Sequence, residues 1–193
     1  MAIEIQETFQ VQAPIEVVWR FVMDPEQVAA CMPGALLEEV VDERTYLGSI
    51  KVQVGAVTTS YKGRIQLTEV DEQGYTVRMA AEGRETGGGT ARATMSSSLH
   101  SLADGRTEVT AEASIDLTGR IMQVGRGMIQ GVSIQLFRQF VACAKTRLET
   151  ADAEAGTALD AEPEPIRAIP LIANVTWTAI VNAVRRLLGR PAT

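Results

Sequence analysis

Apolar and polar residues alternate from Ile3 to Val11: Ile3, Ile5, Phe9 and Val11 stand against Glu4, Gln6, Thr8 and Gln10, and only Glu7 interrupts the apolar row. A period of two predicts a half-buried strand. After Pro14 the period lengthens, with Val17, Val18, Phe21 and Val22 at helical steps and Trp19 beside them. A proline is tolerated in a first helical turn, so Pro14 opens a helix. Asp24 stands before Pro25 as the N-cap of a second short helix, which Pro33-Gly34 ends.

From Ala35 to Leu117, strand-like runs are separated by turn signals: Asp42-Glu43, Gly55, Asp71 to Gly74, Gly87 to Gly89 and Ala103 to Gly105. The pattern predicts six strands near 35–42, 45–54, 57–70, 75–85, 89–102 and 106–117. Short turns without an intervening helical pattern imply an antiparallel meander. From Gly119 to Glu149 the residues Ile121, Val124, Met128, Val132, Leu136, Phe140 and Ala144 recur at steps of three and four. They predict one long amphipathic helix of roughly 45 Å. The expected architecture is α+β of the helix-grip type, a curved, seven-stranded antiparallel sheet around a long C-terminal helix. Such a sheet and helix cannot touch everywhere, so a cavity is expected between them.

The inner face of that cavity follows from the two periods. From the sheet it takes Val52, Val54, Tyr61, Ile65, Val77, Met79, Met95 and Ile115; a one-residue slip in register would turn this set outward. From the helix it takes Met122, Gly125, Met128, Ile129, Val132, Leu136 and Phe140. An apolar small-molecule ligand is the expected occupant.

The pattern changes again after residue 150. Residues 151–165 hold five acids, two prolines and almost no bulky apolar side chain, the composition of a disordered linker that reaches about 50 Å when extended. Residues 166–193 then read as a cationic amphipathic helix. Ile169, Ile172, Ile180, Val184 and Leu187 form an apolar face opposite Asn174, Thr178, Asn182 and Arg185. Trp177 suits a headgroup boundary, and Arg185 and Arg186 suit anionic lipid. Three readings remain for this tail: in-plane membrane binding, docking on protein, or a span. The uncharged stretch 168–184 is barely long enough for a span and includes Pro170, Asn174 and Asn182. The chain thus divides into a ligand-binding domain over 1–150, a linker over 151–165 and an anchor over 166–193.

Charge sharpens this division. Residues 1–150 carry 14 basic and 19 acidic side chains, residues 151–165 carry five acids and no base, and residues 166–193 carry four arginines and no acid. The net charge of −6 argues against a nucleic-acid partner. The N-terminus MAIEIQETF lacks a basic region followed by an apolar core, so a cytoplasmic setting is expected. Cys31 and Cys143 lie in different elements without metal-ligand spacing and are expected to be buried free thiols.

Catalytic side chains are scarce. His100 is the only histidine, which excludes two-histidine metal sites and leaves a structural or surface role as the plainer reading. Gly87-Gly88-Gly89 lies between two strands and reads as a turn rather than an anion cradle. Gly125, Gly127 and Gly131 at a helix start each cost about 1 kcal/mol against alanine. Close packing on the sheet and a widened cavity mouth beside Met122 and Met128 are the two explanations. Trp19 and Tyr61 are either core or lining.

The run from Phe9 through Pro14, Trp19, Asp24-Pro25 and Cys31 to Pro33-Gly34-Ala35 resembles the opening of the carbon monoxide dehydrogenase CoxG family, within the START-like helix-grip superfamily. Val54-Gly55, Tyr61-Lys62-Gly63, Glu69-Val70-Asp71, Gly88 to Ala91 and Val124 to Ile129 are also similar, so the resemblance covers about residues 3–148. Met32 departs from it where a branched aliphatic is more usual. The resemblance implies a non-enzymatic accessory protein of a molybdenum-containing carbon monoxide dehydrogenase, concerned with membrane recruitment.

Electrons from such an enzyme must reach the respiratory chain, and its quinone is confined to the membrane. A tethered cavity protein, peripheral on the inner face of the cell membrane, would carry menaquinone or ubiquinone to the enzyme subunits. Two other readings stand beside this one. One is a recruitment adaptor with an incidental cavity. The other is a START-like cyclase or hydratase, with Tyr61, Glu82, Glu85 and His100 as acid and base groups.

Overall fold

Each apolar row of the sequence meets another across the sheet. Ile3 faces Ile115, Ile5 faces Ala113 and Phe9 faces Val109. Ala113 in turn faces Met95, Met95 faces Met79 and Met79 faces Leu67. One continuous inner face results. The computed structural model describes residues 2–159, with side chains through residue 150. Its strands are β1 (Ala2–Val11), β2 (Ala35–Asp42), β3 (Thr45–Val54), β4 (Val57–Asp71), β5 (Thr76–Glu85), β6 (Thr90–Ser101) and β7 (Thr107–Leu117). They form one antiparallel sheet in the order β1-β7-β6-β5-β4-β3-β2, the helix-grip arrangement that the alternation predicts.

Two short helices, α1 (Ile15–Val22) and α2 (Pro25–Cys31), connect β1 to β2. The Pro14 carbonyl accepts from the amides of Val17 and Val18 at 3.0 and 3.1 Å, so α1 begins where the proline permits. Asp24 caps α2, accepting from the amides of Glu26 and Gln27 at 3.0 and 3.1 Å and from the Gln27 side chain at 2.8 Å.

The C-terminal helix departs from expectation at both ends. Residues 119–149 are not one helix: a 3-10 turn, Arg120–Val124, precedes α3, which spans Arg126–Leu159. Gly125 between them has φ +84°, a conformation outside the α-helical region that side chains rarely adopt. At the other end α3 runs to Leu159, into the segment expected to be a disordered linker. Ala151, Ala153, Ala155 and Ala158 provide strong helix formers there, which outweigh the acidic composition. The rest of that segment, 160–165, and the whole anchor with Ile169, Ile172, Trp177, Ile180, Val184, Arg185, Arg186 and Leu187 lie outside the described residues. Among the described residues, no helix is long and apolar enough to cross a membrane.

The interior has two apolar centres. One gathers Val11, Val18, Phe21, Leu99, Val109 and Leu148 from β1, α1, the far ends of β6 and β7, and the later turns of α3. The other gathers Ile3, Ile5, Val54, Ile121 and Ile129, where the 3-10 turn and the start of α3 meet the opposite end of the sheet. Cys31 and Cys143 belong to the first centre. They form a disulfide with Cα atoms 5.4 Å apart, which corrects the expectation of free thiols. The pairing is tertiary, joining α2 to α3 across 112 residues, so spacing along the chain carries no sign of it.

A crease crosses the middle of the sheet. Gly48 faces Gly63 and Gly63 faces Gly83, in register over three strands. A Cβ at Gly63 would collide with the Glu82 carbonyl oxygen and lie 2.6 Å from the Gly83 Cα, while one at Gly48 would lie 2.7 Å from the Leu36 carbonyl oxygen. Only absent side chains allow neighbouring strands to approach so closely.

Candidate ligand-binding site

Between its two apolar centres the inner face is only partly covered. Ile50, Ile65, Ala81 and Ala93 share the inner register and are half-buried, whereas Ile3 and Leu99 at its ends are buried. A trough therefore runs under the sheet beside α3. At the α1 end it closes into a cavity of about 80 Å³ among Phe21, Leu67, Met79, Met95, Phe137 and Phe140. Ligand sites of drug-like size are about 300–1,000 Å³, so a ring enters this end only if side chains swing aside. Met79 and Met95, unbranched and flexible, are suited to that.

The residues expected to line the cavity divide along this axis. Val77, Met79, Met95 and Phe140 line the small cavity. Val52, Val54, Ile115, Met122, Ile129 and Val132 instead belong to the second apolar centre. Ile65 lies on the trough, and Leu136 is half-buried on α3. The register of the sheet set holds: Val52, Val54, Tyr61, Ile65, Val77, Met79, Met95 and Ile115 all share the inner face.

Gly125 and Met128 do not enter the lining. Met128 is 50% exposed, with its sulfur 3.0 Å from where a Cβ of Gly55 would stand, because the inward position one residue later goes to Ile129. A Cβ at Gly125, Gly127 or Gly131 would meet nothing within 4 Å, so close packing on the sheet does not account for these glycines. The positive φ accounts for Gly125; nothing in the structure explains the other two.

Parity would have supplied several missed residues. Phe9 and Val11 continue the Ile3-Ile5 row, Leu67 continues Ile65, and Val109 and Ala111 continue Ile115; all five line the cavity.

A polar cluster faces the other end of the trough. Tyr61 and Glu85 are direct partners across β4 and β5, and Thr59 lies two residues along β4 on the same face. All three are more than nine-tenths buried, yet Thr59 Oγ1, Tyr61 Oη and Glu85 Oε2 have no hydrogen-bond partner. The other Glu85 oxygen, Oε1, is 3.6 Å from an Arg120 guanidinium nitrogen on the 3-10 turn. Room for the carboxylate comes from the turn between β5 and β6, where a Cβ at Gly89 would lie 2.8 Å from Glu85 Oε2. Burial pushes the Tyr61 phenol above its ordinary range; Thr59 opposes that shift and the charge of Glu85 adds to it. Tyr61 therefore remains an O–H donor at neutral pH.

The acid–base set of the enzyme reading does not assemble. Tyr61 and Glu85 converge, but Glu82 and His100 point to the opposite, exposed face, Glu82 beside Arg92 at 3.5 Å. Trp19 packs edge-on against Tyr75 at 5.7 Å, as core rather than lining. The outer face carries an open groove of about 460 Å³ over the crease, edged by Lys62, Arg64, Arg84, Arg92, Glu38 and Glu82. Its charged rim does not suit an apolar ligand. Among the described residues, no cluster of His, Cys, Asp and Glu could hold a metal ion.

Comparison with known proteins agrees with this architecture. A conserved protein from Geobacillus kaustophilus superimposes with a TM-score of 0.70 at 21% identity, covering 77% of this chain and 97% of that one. The Zhui aromatase/cyclase from Streptomyces sp. R1128 gives 0.60 at 16%, covering 81% and 99%. A START superfamily protein from Mycobacterium smegmatis gives 0.54 at 13%, covering 77% and 98%. At such identities the likeness establishes the START-like fold alone. No curated protein matches the sequence. Residues 8–149, by contrast, match the profile of the carbon monoxide dehydrogenase CoxG family, and the chain belongs to that family.

Proposed function

We propose that this chain is a non-enzymatic accessory protein of a molybdenum-containing carbon monoxide dehydrogenase, and that it carries a membrane isoprenoid, menaquinone or ubiquinone, to the enzyme subunits. The observation that supports carriage is the trough: an inner face left partly bare between two apolar centres, closing into an apolar cavity lined by flexible methionines. Family membership supports the enzyme as partner. The arginine-bearing segment 166–193 supports attachment to the cytoplasmic face of the membrane. In this reading the protein accepts the quinone at the lipid surface, and the reduced form returns there.

The smallness of the cavity, about 80 Å³, favours a second reading in which the protein only docks the enzyme on the membrane. Native mass spectrometry of the full chain, after incubation with vesicles containing menaquinone, separates the two. A bound quinone at one per chain is expected. A protein that emerges empty, and whose lipid extract holds no isoprenoid, would leave the adaptor.

A further inference from the structure

A buried polar atom without a partner forfeits hydrogen bonds that it makes in water, and native proteins seldom leave three together. Thr59 Oγ1, Tyr61 Oη and Glu85 Oε2 are such a group, on one face and across one strand pair. None is used by the fold. Tyr61 and Thr59 offer hydroxyls that donate or accept, and an ionised Glu85 offers an acceptor only. Together they match a head that carries oxygens, whether carbonyls or hydroxyls.

The rest of the inner face indicates how such a molecule would lie. From Tyr61 along β4, the next inner residues are Gly63, Ile65 and Leu67, and the last of these lines the apolar cavity. At about 3.3 Å per residue this is roughly 20 Å of strand. Ala81, Ala93 and Gly83 on the neighbouring strands keep the intervening surface low and half-buried. A polar end, a low channel and an apolar end in line describe a site for a long-chain amphiphile.

We infer that Thr59, Tyr61 and Glu85 form a head-group subsite that hydrogen-bonds the oxygen-bearing ring of an isoprenoid ligand, its chain running along the inner face toward Leu67 and Met79. Arg120, whose side chain is 64% exposed, holds the second Glu85 oxygen and closes this end of the trough. The inference rests on the carrier reading and adds to it the place and polarity of the head.

The test compares two probes on the full-length protein: a naphthoquinone bearing two prenyl units, and the same prenylated ring system without its two oxygens. Titration of the Thr59→Val/Tyr61→Phe double variant and of Glu85→Gln follows binding by fluorescence quenching. The double variant should bind the quinone about tenfold or more weakly, and the hydrocarbon within about twofold of wild type. Because neither hydroxyl has a protein partner, its melting temperature should not fall; if it does, Tyr61→Phe alone gives the reading. Equal loss on both probes, or none on either, would overturn the subsite while quinone binding by the wild type kept the carrier. A wild type that binds neither probe would remove carrier and subsite together.

Discussion

Thr107 and Thr59 are both buried threonines on the inner face, but only one has a protein partner. Thr107 is fully buried and its hydroxyl donates to the Ala13 carbonyl at 2.7 Å, joining β7 to the start of α1. Thr107→Val should therefore lower stability by about 1–3 kcal/mol, because it leaves that carbonyl unpaired. Thr59→Val removes a group with nothing to pair with and should leave stability unchanged or raise it by about 1 kcal/mol. Urea unfolding of the two variants distinguishes these cases, and a matching loss in both would mean that Thr59 has a partner. At this scale the sequence was only half legible. Alternation placed Tyr61 inward, and the same parity along Val77, Met79, Ala81 and Gly83 reaches Glu85. A lone carboxylate at a strand end resembles surface, however, and only the cross-strand pairing shows it buried.

The secondary elements were the most legible level, because their signals are local. Turn residues bounded all six central strands within a residue or two, and Asp24-Pro25 marked the start of α2. The Gln27 side chain and the backbone amides it caps hold the Asp24 carboxyl below its ordinary range, despite partial burial. A depressed carboxyl pKa adds stability that is full above the unfolded value near 4 and is lost as pH falls through the folded value. Asp24→Ala should thus cost about 1–2 kcal/mol at pH 7, with the gap between variant and wild type closing below about pH 4. A gap that persisted at pH 2 would show that the charge is not responsible. The long helix was less legible, because helical periodicity is blind to one residue of positive φ. Ile121 and Val124 keep the spacing of α3 although Gly125 separates them from it.

At the scale of the whole molecule, the Cys31–Cys143 disulfide ties α2 to the later part of α3. Closing a loop of this length contributes about 2–4 kcal/mol, so reduction should lower the melting temperature of the wild type and leave Cys31→Ser unmoved. Such bonds are uncommon in a reducing cytoplasm, and thiol trapping in growing cells would show which state the protein holds there. Deleting residues 166–193 should leave a folded domain that no longer sediments with membranes, since the arginines of that segment are the chain's densest positive charge. Continued sedimentation would place the lipid contact in the domain instead. Neither the disulfide nor the trough was legible beforehand, because each depends on where distant segments meet.

The glycine crease has a consequence for how this fold can vary. Curvature made by missing side chains belongs to the backbone, so the shape of the inner face and the identity of its surface residues are separate properties. Ala81 or Ala93 can change to larger residues, resizing the channel as interchangeable fittings in a fixed frame. Gly63 and Gly48 cannot, since even one methyl meets backbone rather than side chain. Ala81→Val should thus keep the fold and narrow the range of ligands accepted, whereas Gly63→Ala should cost more stability than its single carbon suggests. Cargo preference and architecture are then inherited separately, one through the fittings and the other through the frame.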